Sequence, residues 1–167
     1  LEWLPRWIAI IGSGYIGLEF ADIYTALGCE VTMIEALDRV MPTFDVDIVK
    51  IASRNLIEGR DIDTKAGVLA SKVLPGCPVK IELSEMKTKN LIEELEVDAV
   101  LVATGRVPAS KDLNLKAVGV ETNRGYISID EKMRVTVQNQ IIPNLWAVGD
   151  VTGKLMLAHT AAAQGTI

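Results

Sequence analysis

Residues 7–19 read WIAIIGSGYIGLE, and this stretch decides the fold of the chain. Its apolar first half ends at Gly12, and a helical pattern begins directly after the glycines. A second apolar run, residues 31–34, follows the helical segment and ends in Glu35. This order of strand, glycine turn, helix, strand and acid predicts the first βαβ unit of a Rossmann-type, doubly wound parallel sheet.

The three glycines and the acid predict a dinucleotide site. Gly12 permits a tight turn, Gly14 lets the backbone approach a pyrophosphate, and Gly17 lets the helix pack closely on the strands. The free N–H groups at the start of the helix then meet the phosphate charge. Glu35 lies 18 positions after Gly17, near the spacing at which a carboxylate binds the adenosine ribose. The alternative is a βαβ turn that binds no ligand.

The first helix is predicted to run from the glycine turn to Gly28, where a left-handed C-terminal cap is expected. Its large apolar residues recur at helical spacing and share one face. They are Ile16, Phe20, Ile23 and Leu27.

Composition indicates a soluble globular protein. Hydrophobic residues make up 49% and charged residues 23% of 167, with a net charge of −5. Interleaved acids and bases favour neither nucleic acid nor an anionic membrane as a partner, and no apolar run reaches the roughly 18 residues of a membrane span. The chain has no initiator Met and no features of a signal peptide, and it ends in what looks like a truncated helix. We therefore expect it to be an excerpt of a longer protein.

The cysteine and histidine content predicts no metal site. Cys29 and Cys77 are 48 positions apart, which fits neither a zinc site nor a redox pair. We expect two free thiols in a reducing compartment. The single histidine has no neighbouring cluster of ligand residues.

A second helix is predicted over about residues 44–58, with Thr43 as its N-cap and a buried face of apolar residues four apart. That face comprises Ile48, Ala52 and Leu56.

Short apolar segments follow and predict a small antiparallel meander in place of a crossover helix. They cover residues 62–66, 68–74 and 79–83. Residues 87–96 are polar and predict a surface turn, whereas residues 97–102 predict a strand buried on both sides.

The pattern changes after this strand. Residues 125–130, 133–137 and 142–150 predict strands, and residues 156–165 predict the opening of a helix. A segment of about sixty residues is too short to close a core by itself.

Three segments in this order resemble the flavin-dependent pyridine nucleotide–disulfide oxidoreductases. They are GSGYIGLE at 12–19, ATGRVP at 103–108, and LWAVGD at 145–150 with LAH at 157–159. Within the family, EFADIYTALG at 19–28 and IEALD at 34–38 resemble the dihydrolipoamide dehydrogenases of plastids and cyanobacteria. The resemblance extends over essentially the whole chain.

The resemblance implies an NAD-binding domain over residues 1–105 and an incomplete FAD-domain segment over residues 106–167. The implied NAD-contacting residues are Gly12, Ser13, Gly14, Tyr15, Ile16, Gly17, Glu19, Glu35, Val68 and Gly105. The implied FAD-contacting residues are Gly149, Asp150, Met156, Leu157, Ala158 and His159.

The resemblance also implies a reaction and partners. Electrons would pass from a protein-bound dihydrolipoyl dithiol through a disulfide and FAD to NAD. The partner would be a lipoyl-bearing protein of a 2-oxo acid dehydrogenase complex, and the parent enzyme a homodimer. Its location would be the plastid, the mitochondrial matrix or the bacterial cytoplasm. The family's cysteine pair does not occur in these residues, so we expect no catalytic residue here and no activity from the chain alone.

Two alternatives remain open at this point. The chain could come from another disulfide reductase of the family, of the glutathione or mercuric reductase type. It could also be a nucleotide-binding module without catalysis.

Overall fold

The computed structural model describes all 167 residues. They divide into two compact units, Leu1–Gly105 and Arg106–Ile167. None of the helices has the length and apolar character that a membrane span requires.

A four-stranded parallel sheet forms the centre of the first unit. Its strands are β1 (Trp7–Ile11), β2 (Glu30–Glu35), β3 (Ile62–Ala66) and β7 (Ala99–Val102). Their order in space is β3-β2-β1-β7, and all three neighbouring pairs are parallel.

Two helices and an antiparallel meander complete this unit: α1 (Tyr15–Ala26), α2 (Val46–Leu56), β4 (Val68–Leu74), β5 (Val79–Glu85) and β6 (Leu91–Val97).

The two faces of the parallel sheet are covered differently. Ile8 and Ile10 of β1 share a buried cluster with Leu18 of α1. Ala9, between them in sequence, packs with Leu83 of β5 instead. Because successive strand residues point to opposite faces, the helices cover one face and the meander the other. The predicted Rossmann-type α/β fold with a meander is confirmed.

The bounds of the meander differ from the prediction. Residues 62–66 belong to the parallel sheet as β3. The third meander strand, β6, comprises residues 91–96, predicted as the end of a polar turn, and Val97, predicted to begin the next strand. Leu95 and Val97 of β6 are buried, whereas the neighbouring Glu94 and Glu96 are exposed. A meander strand covered on one face only tolerates that alternation. The acids concealed the strand in the sequence.

The predicted apolar face of α1 is not its buried face. Phe20, Ile23 and Leu27 are 37, 50 and 57% exposed. The helix buries Gly17, Leu18 and Ala21 instead. The predicted left-handed conformation of Gly28 is confirmed, with φ of +86°.

The second helix also differs in its first residue and its packing. Asp45, not Thr43, caps α2, because its Oδ1 accepts a hydrogen bond of 2.9 Å from the Asp47 N–H. Ile48 is 53% exposed, and Val49 packs on the core beside Ala52.

The second unit is built from short strands and one helix. They are β8 (Thr122–Asn123), β9 (Tyr126–Ile127), β10 (Arg134–Val137), β11 (Gln140–Trp146) and α3 (Ala158–Gln164). Its buried cluster comprises Val120, Ile127, Val135 and Ala147. The predicted strands and final helix are present, although most are shorter than predicted.

Candidate dinucleotide site

The carboxyl ends of β1, β2 and β7 meet at one edge of the parallel sheet. The Gly12 N–H donates to the Ile34 carbonyl at 2.8 Å, and the Ala103 N–H donates to the Ile11 carbonyl at 2.8 Å. The glycine turn therefore leaves β1 between the ends of β2 and β7. In parallel α/β sheets, this edge is where ligands bind.

Two of the three glycines are required by the chain's own structure. Gly12 has φ of +105°, and a Cβ there would lie 2.5 Å from the Ala103 carbonyl oxygen. A Cβ on Gly17 would meet the Gly12 carbonyl oxygen. These two glycines let α1 lie close against β1 and let the turn pass close to β7.

Gly14 is required by neither conformation nor packing. Its φ is −71° and its ψ −177°, which any residue adopts. Apart from its two chain neighbours, no part of the protein lies within 4 Å of the position that its Cβ would occupy. Gly14 is also the N-cap of α1, where no side chain caps the helix and no acid lies in the first turn. The start of α1 therefore offers free N–H groups and open space to an anion.

Glu35 ends β2 and is held by three hydrogen bonds. Its Oε2 accepts from the Ser13 hydroxyl at 2.6 Å and from the Ser13 N–H at 3.1 Å. Its Oε1 accepts from the Leu37 N–H at 3.0 Å. Glu35 is only 8% exposed, so this carboxylate is fixed at the floor of the site.

These contacts determine the charge of Glu35. Burial alone would raise the pKa of the carboxyl group, because it disfavours the ionised form. The hydrogen bonds from Leu37 and Ser13, with a small further contribution from the nearby backbone of Ala36, outweigh burial and lower the pKa below its ordinary value of 4.5. Glu35 is therefore a carboxylate at neutral pH.

Arg39 is the base nearest to Glu35 in sequence, and its guanidinium is already engaged. Its Nη2 donates to the carbonyls of Pro42 and Phe44 at 3.1 and 2.9 Å. Arg39 therefore orders the loop that leads into α2, and this Nη2 is not free for a ligand phosphate.

The other candidate residues of this unit lie on α1, after β7 or at the start of β4. Tyr15 and Glu19, one helical turn apart, line one apolar groove between α1 and α2 with a volume of about 240 Å³. Ile16 is half-buried beside them. Gly105 follows β7 with φ of +123°. Val68 begins β4, next to Gly67, whose N–H donates to the Leu37 carbonyl at 2.7 Å.

In the second unit, Gly149 and Asp150 form a turn that is tied to α3. Gly149 has φ of +80°, and its N–H donates to Oε1 of Gln164 at 2.7 Å. The Thr152 hydroxyl donates to the Gly149 carbonyl at 2.8 Å. Asp150 is exposed, and its carboxylate makes no hydrogen bond or ion pair within the protein. The turn presents this carboxylate to solvent.

The remaining candidates lead into α3. Met156 and Leu157 are half-buried, whereas Ala158 and His159, the first two residues of the helix, are exposed. No acid or nucleophile is bonded to His159. The imidazole therefore lacks the partner that a general base requires.

Sequence reasoning missed the structural roles of two buried polar side chains. The sequence indicates Ser13 only as a cofactor contact, yet its hydroxyl is fully buried against Glu35. It gives no indication of a role for Gln164. No periodicity distinguishes such residues, because their partners are remote in the sequence.

A parallel sheet, a glycine turn, an uncapped helix start and a buried acid at the end of the next strand define a Rossmann-type dinucleotide-binding domain. A profile of the pyridine nucleotide-disulphide oxidoreductases matches residues 1–165. The chain belongs to this family.

Curated relatives and solved structures agree with that membership. Dihydrolipoyl dehydrogenase of Synechocystis is 62% identical over 168 residues, which span the whole chain and 35% of that protein. The chloroplastic dihydrolipoyl dehydrogenase 2 of Arabidopsis thaliana is 57% identical over 99% of the chain and 30% of that protein. The HOCl-induced flavoprotein disulfide reductase RclA of Escherichia coli matches with a TM-score of 0.81 and 30% identity, over 100% of the chain and 36% of that protein.

The chain thus spans about a third of the length of these proteins. The predicted cofactors of the family, NAD and FAD, are confirmed by this membership.

Proposed function

We propose that the first unit binds NAD, with the pyrophosphate against Gly14 at the start of α1 and the adenosine ribose against Glu35. The main support is that nothing in the protein's own structure requires glycine at position 14. The backbone conformation of Gly14 suits any residue, and a side chain there would enter open space. A ligand that must approach the backbone closely gives a reason for glycine at this position.

The ionised state of Glu35 supports NAD rather than NADP. A carboxylate accepts a hydrogen bond from a free 2′-hydroxyl and repels a 2′-phosphate. The Nη2 of Arg39, bonded to two carbonyls, is not free to offset that repulsion.

We further propose that the chain is the NAD-binding portion of a flavin-dependent dihydrolipoyl dehydrogenase. Identities of 62 and 57% to proteins of that name, against 30% to the reductase RclA, favour this activity over other disulfide reductases. When bound, NAD supplies the hydride acceptor. Within the first unit, the glycine turn and Glu35 orient the cofactor, while Tyr15 and Glu19 line the adjoining groove.

The second unit contributes to flavin binding in this proposal. Asp150, exposed and unpaired on a turn held by Gln164, would accept a hydrogen bond from a flavin ribityl hydroxyl. The residues Met156, Leu157, Ala158 and His159 would offer backbone groups to the flavin ring. A nucleotide-binding module without catalysis would need only the first unit. The presence of a second unit with a flavin motif therefore favours an oxidoreductase over such a module.

The parent enzyme would act on a lipoyl-bearing protein of a 2-oxo acid dehydrogenase complex and form a homodimer. The cyanobacterial and chloroplastic relatives favour the bacterial cytoplasm or the plastid over the mitochondrial matrix.

NAD titration of the wild-type chain and the Gly14→Ser variant tests the binding site. Serine is a favoured N-cap residue, so the variant should fold at least as stably as the wild type. Its side chain would keep the pyrophosphate from the N–H groups. One charge-assisted hydrogen bond contributes about 1.5–3 kcal/mol, so NAD affinity should fall roughly tenfold to a hundredfold.

The matched control is Gly165→Ala. Gly165 has φ of −72°, and a Cβ there makes only ordinary contacts, the nearest at 3.5 Å. NAD affinity should be unchanged in this variant. A folded Gly14→Ser variant that bound NAD as tightly as the wild type would refute the proposed site.

A further inference from the structure

The hydroxyl of Ser13 joins three parts of the sheet edge. Ser13 is fully buried between Gly12 and Gly14. Its hydroxyl donates to Oε2 of Glu35 at 2.6 Å and accepts from the Met41 N–H at 3.0 Å. One side chain therefore links the glycine turn, the acid at the end of β2 and the loop that follows it.

These bonds restrict how Glu35 can receive a ligand. A carboxylate has about four acceptor positions, two on each oxygen. Oε2 uses both on the hydroxyl and the N–H of Ser13, and Oε1 uses one on the Leu37 N–H. Oε1 is thus the atom with capacity for a ribose hydroxyl.

Hydrogen bonds also fix the position of the loop after β2 relative to this carboxylate. Met41 is 1% exposed and adopts φ of +51°, a conformation that non-glycine residues rarely take. Its N–H is bonded to Ser13, while the Leu37 carbonyl accepts from the Gly67 N–H. The cost of the Met41 conformation, of order 1–3 kcal/mol, is tolerated only where surrounding contacts determine it.

We propose that Ser13 is a positioning residue for nucleotide specificity, which fixes Glu35 so that Oε1 faces the 2′-hydroxyl of the adenosine ribose. This inference rests on the proposed binding of NAD. Without the hydroxyl, the carboxylate can turn away from the ribose. NAD then loses its acceptor, and NADP meets a less closely held negative charge.

A double-mutant cycle tests whether Ser13 acts through Glu35. The four proteins are the wild-type 167-residue chain, Ser13→Ala, Glu35→Gln and the double variant, each titrated with NAD and with NADP. In the wild-type background, Ser13→Ala should weaken NAD binding by about tenfold, the scale of one charge-assisted hydrogen bond. In the Glu35→Gln background, the same change should alter NAD affinity by less than about twofold, because coupled residues are not additive.

Further variants separate positioning from folding. Ser13→Cys keeps the approximate size of the side chain with a weaker donor, so its NAD affinity should fall between wild type and Ser13→Ala. It also keeps the test available if Ser13→Ala does not fold. Ser84→Ala removes another buried hydroxyl of the first unit, which is bonded to Ser71 at 2.8 Å. This control should leave the ratio of NAD to NADP affinity unchanged.

Three results would count against the inference or its premise. Equal losses of NAD affinity in the wild-type and Glu35→Gln backgrounds would show that Ser13 acts independently of the carboxylate. An unchanged ratio of NAD to NADP affinity in both Ser13 variants would remove its role in specificity. A folded wild-type chain that binds no NAD would instead refute the proposed function, and with it this inference.

Discussion

Replacing Glu35 with Gln should lower the free energy of unfolding by an amount that depends on pH. At neutral pH the carboxylate accepts hydrogen bonds from three donors on both of its oxygens. A glutamine amide has only one oxygen, so its nitrogen must face at least one of those donors. The buried site then contains a pair of opposed N–H groups in place of a hydrogen bond.

The size of the effect follows from that conflict. If the amide oxygen accepts both bonds from Ser13, the Leu37 N–H is left without an acceptor. Leu37 is 50% exposed and this bond is only part-buried, so the loss lies toward the lower end of the about 1–3 kcal/mol that an unsatisfied buried donor costs. We therefore expect Glu35→Gln to lower the free energy of unfolding by about 1 kcal/mol at pH 7.

This difference should disappear in acid. The pKa of Glu35 is lowered by folding from 4.5, so the native state favours the ionised carboxylate. Its contribution is complete above the unfolded-state pKa and is lost as the pH falls through the lower folded-state pKa. A protonated Glu35 carries a donor of its own and meets the same conflict as glutamine.

Urea unfolding at pH 7 and well below pH 4.5 would measure the difference. Trp7 reports on the first unit, since its indole N–H donates to the Thr32 hydroxyl at 3.0 Å. The other two tryptophans, Trp3 and Trp146, are 53 and 57% exposed and can be replaced by Phe in all proteins compared. Glu30→Gln, an exposed position at the start of β2, is the matched control and should show little effect. A Glu35→Gln deficit of equal size at both pH values would refute the reasoning.

Three other outcomes are expected. Gly17→Ala should lower the melting temperature, because the alanine Cβ would meet the Gly12 carbonyl. Alanine is the better helix former by about 1 kcal/mol, so a raised melting temperature would contradict the packing described. Arg39→Met should reduce stability, because it removes two hydrogen bonds. In titrations it should leave the ratio of NAD to NADP affinity unchanged, and a shift toward NADP would count against the role given to Glu35. The chain should form no NADH from dihydrolipoamide and NAD, even with added FAD, because these residues do not include the family's cysteine pair. Turnover that is abolished by Cys29→Ser or Cys77→Ser would overturn that expectation.

The βαβ unit and the acid could be predicted from the sequence because local constraints determine both. Gly12 needs its positive φ for the turn, and Glu35 ends an apolar run that forms a buried strand. The strand β6 was missed because alternating acids on its exposed face resemble a polar turn. The role of Ser13 depends on Glu35, 22 residues away, and on Met41, 28 residues away. Pairings of that range are set by tertiary structure and leave no periodic signal.

The error over α1 has a more specific physical cause. A helix that lies close against a sheet must present small side chains to it, and here Gly17 and Ala21 lie on the buried side. Small residues contribute little to an apolar periodicity, so the pattern is dominated by large residues that point elsewhere, such as Phe20 and Ile23. The spacing of the glycines, rather than the positions of the large apolar residues, therefore identifies the face of α1 that meets the sheet. The same close approach brings the first N–H groups of α1 to the edge of the sheet beside Glu35. The packing that made the buried face of α1 hard to predict therefore also forms the proposed NAD site.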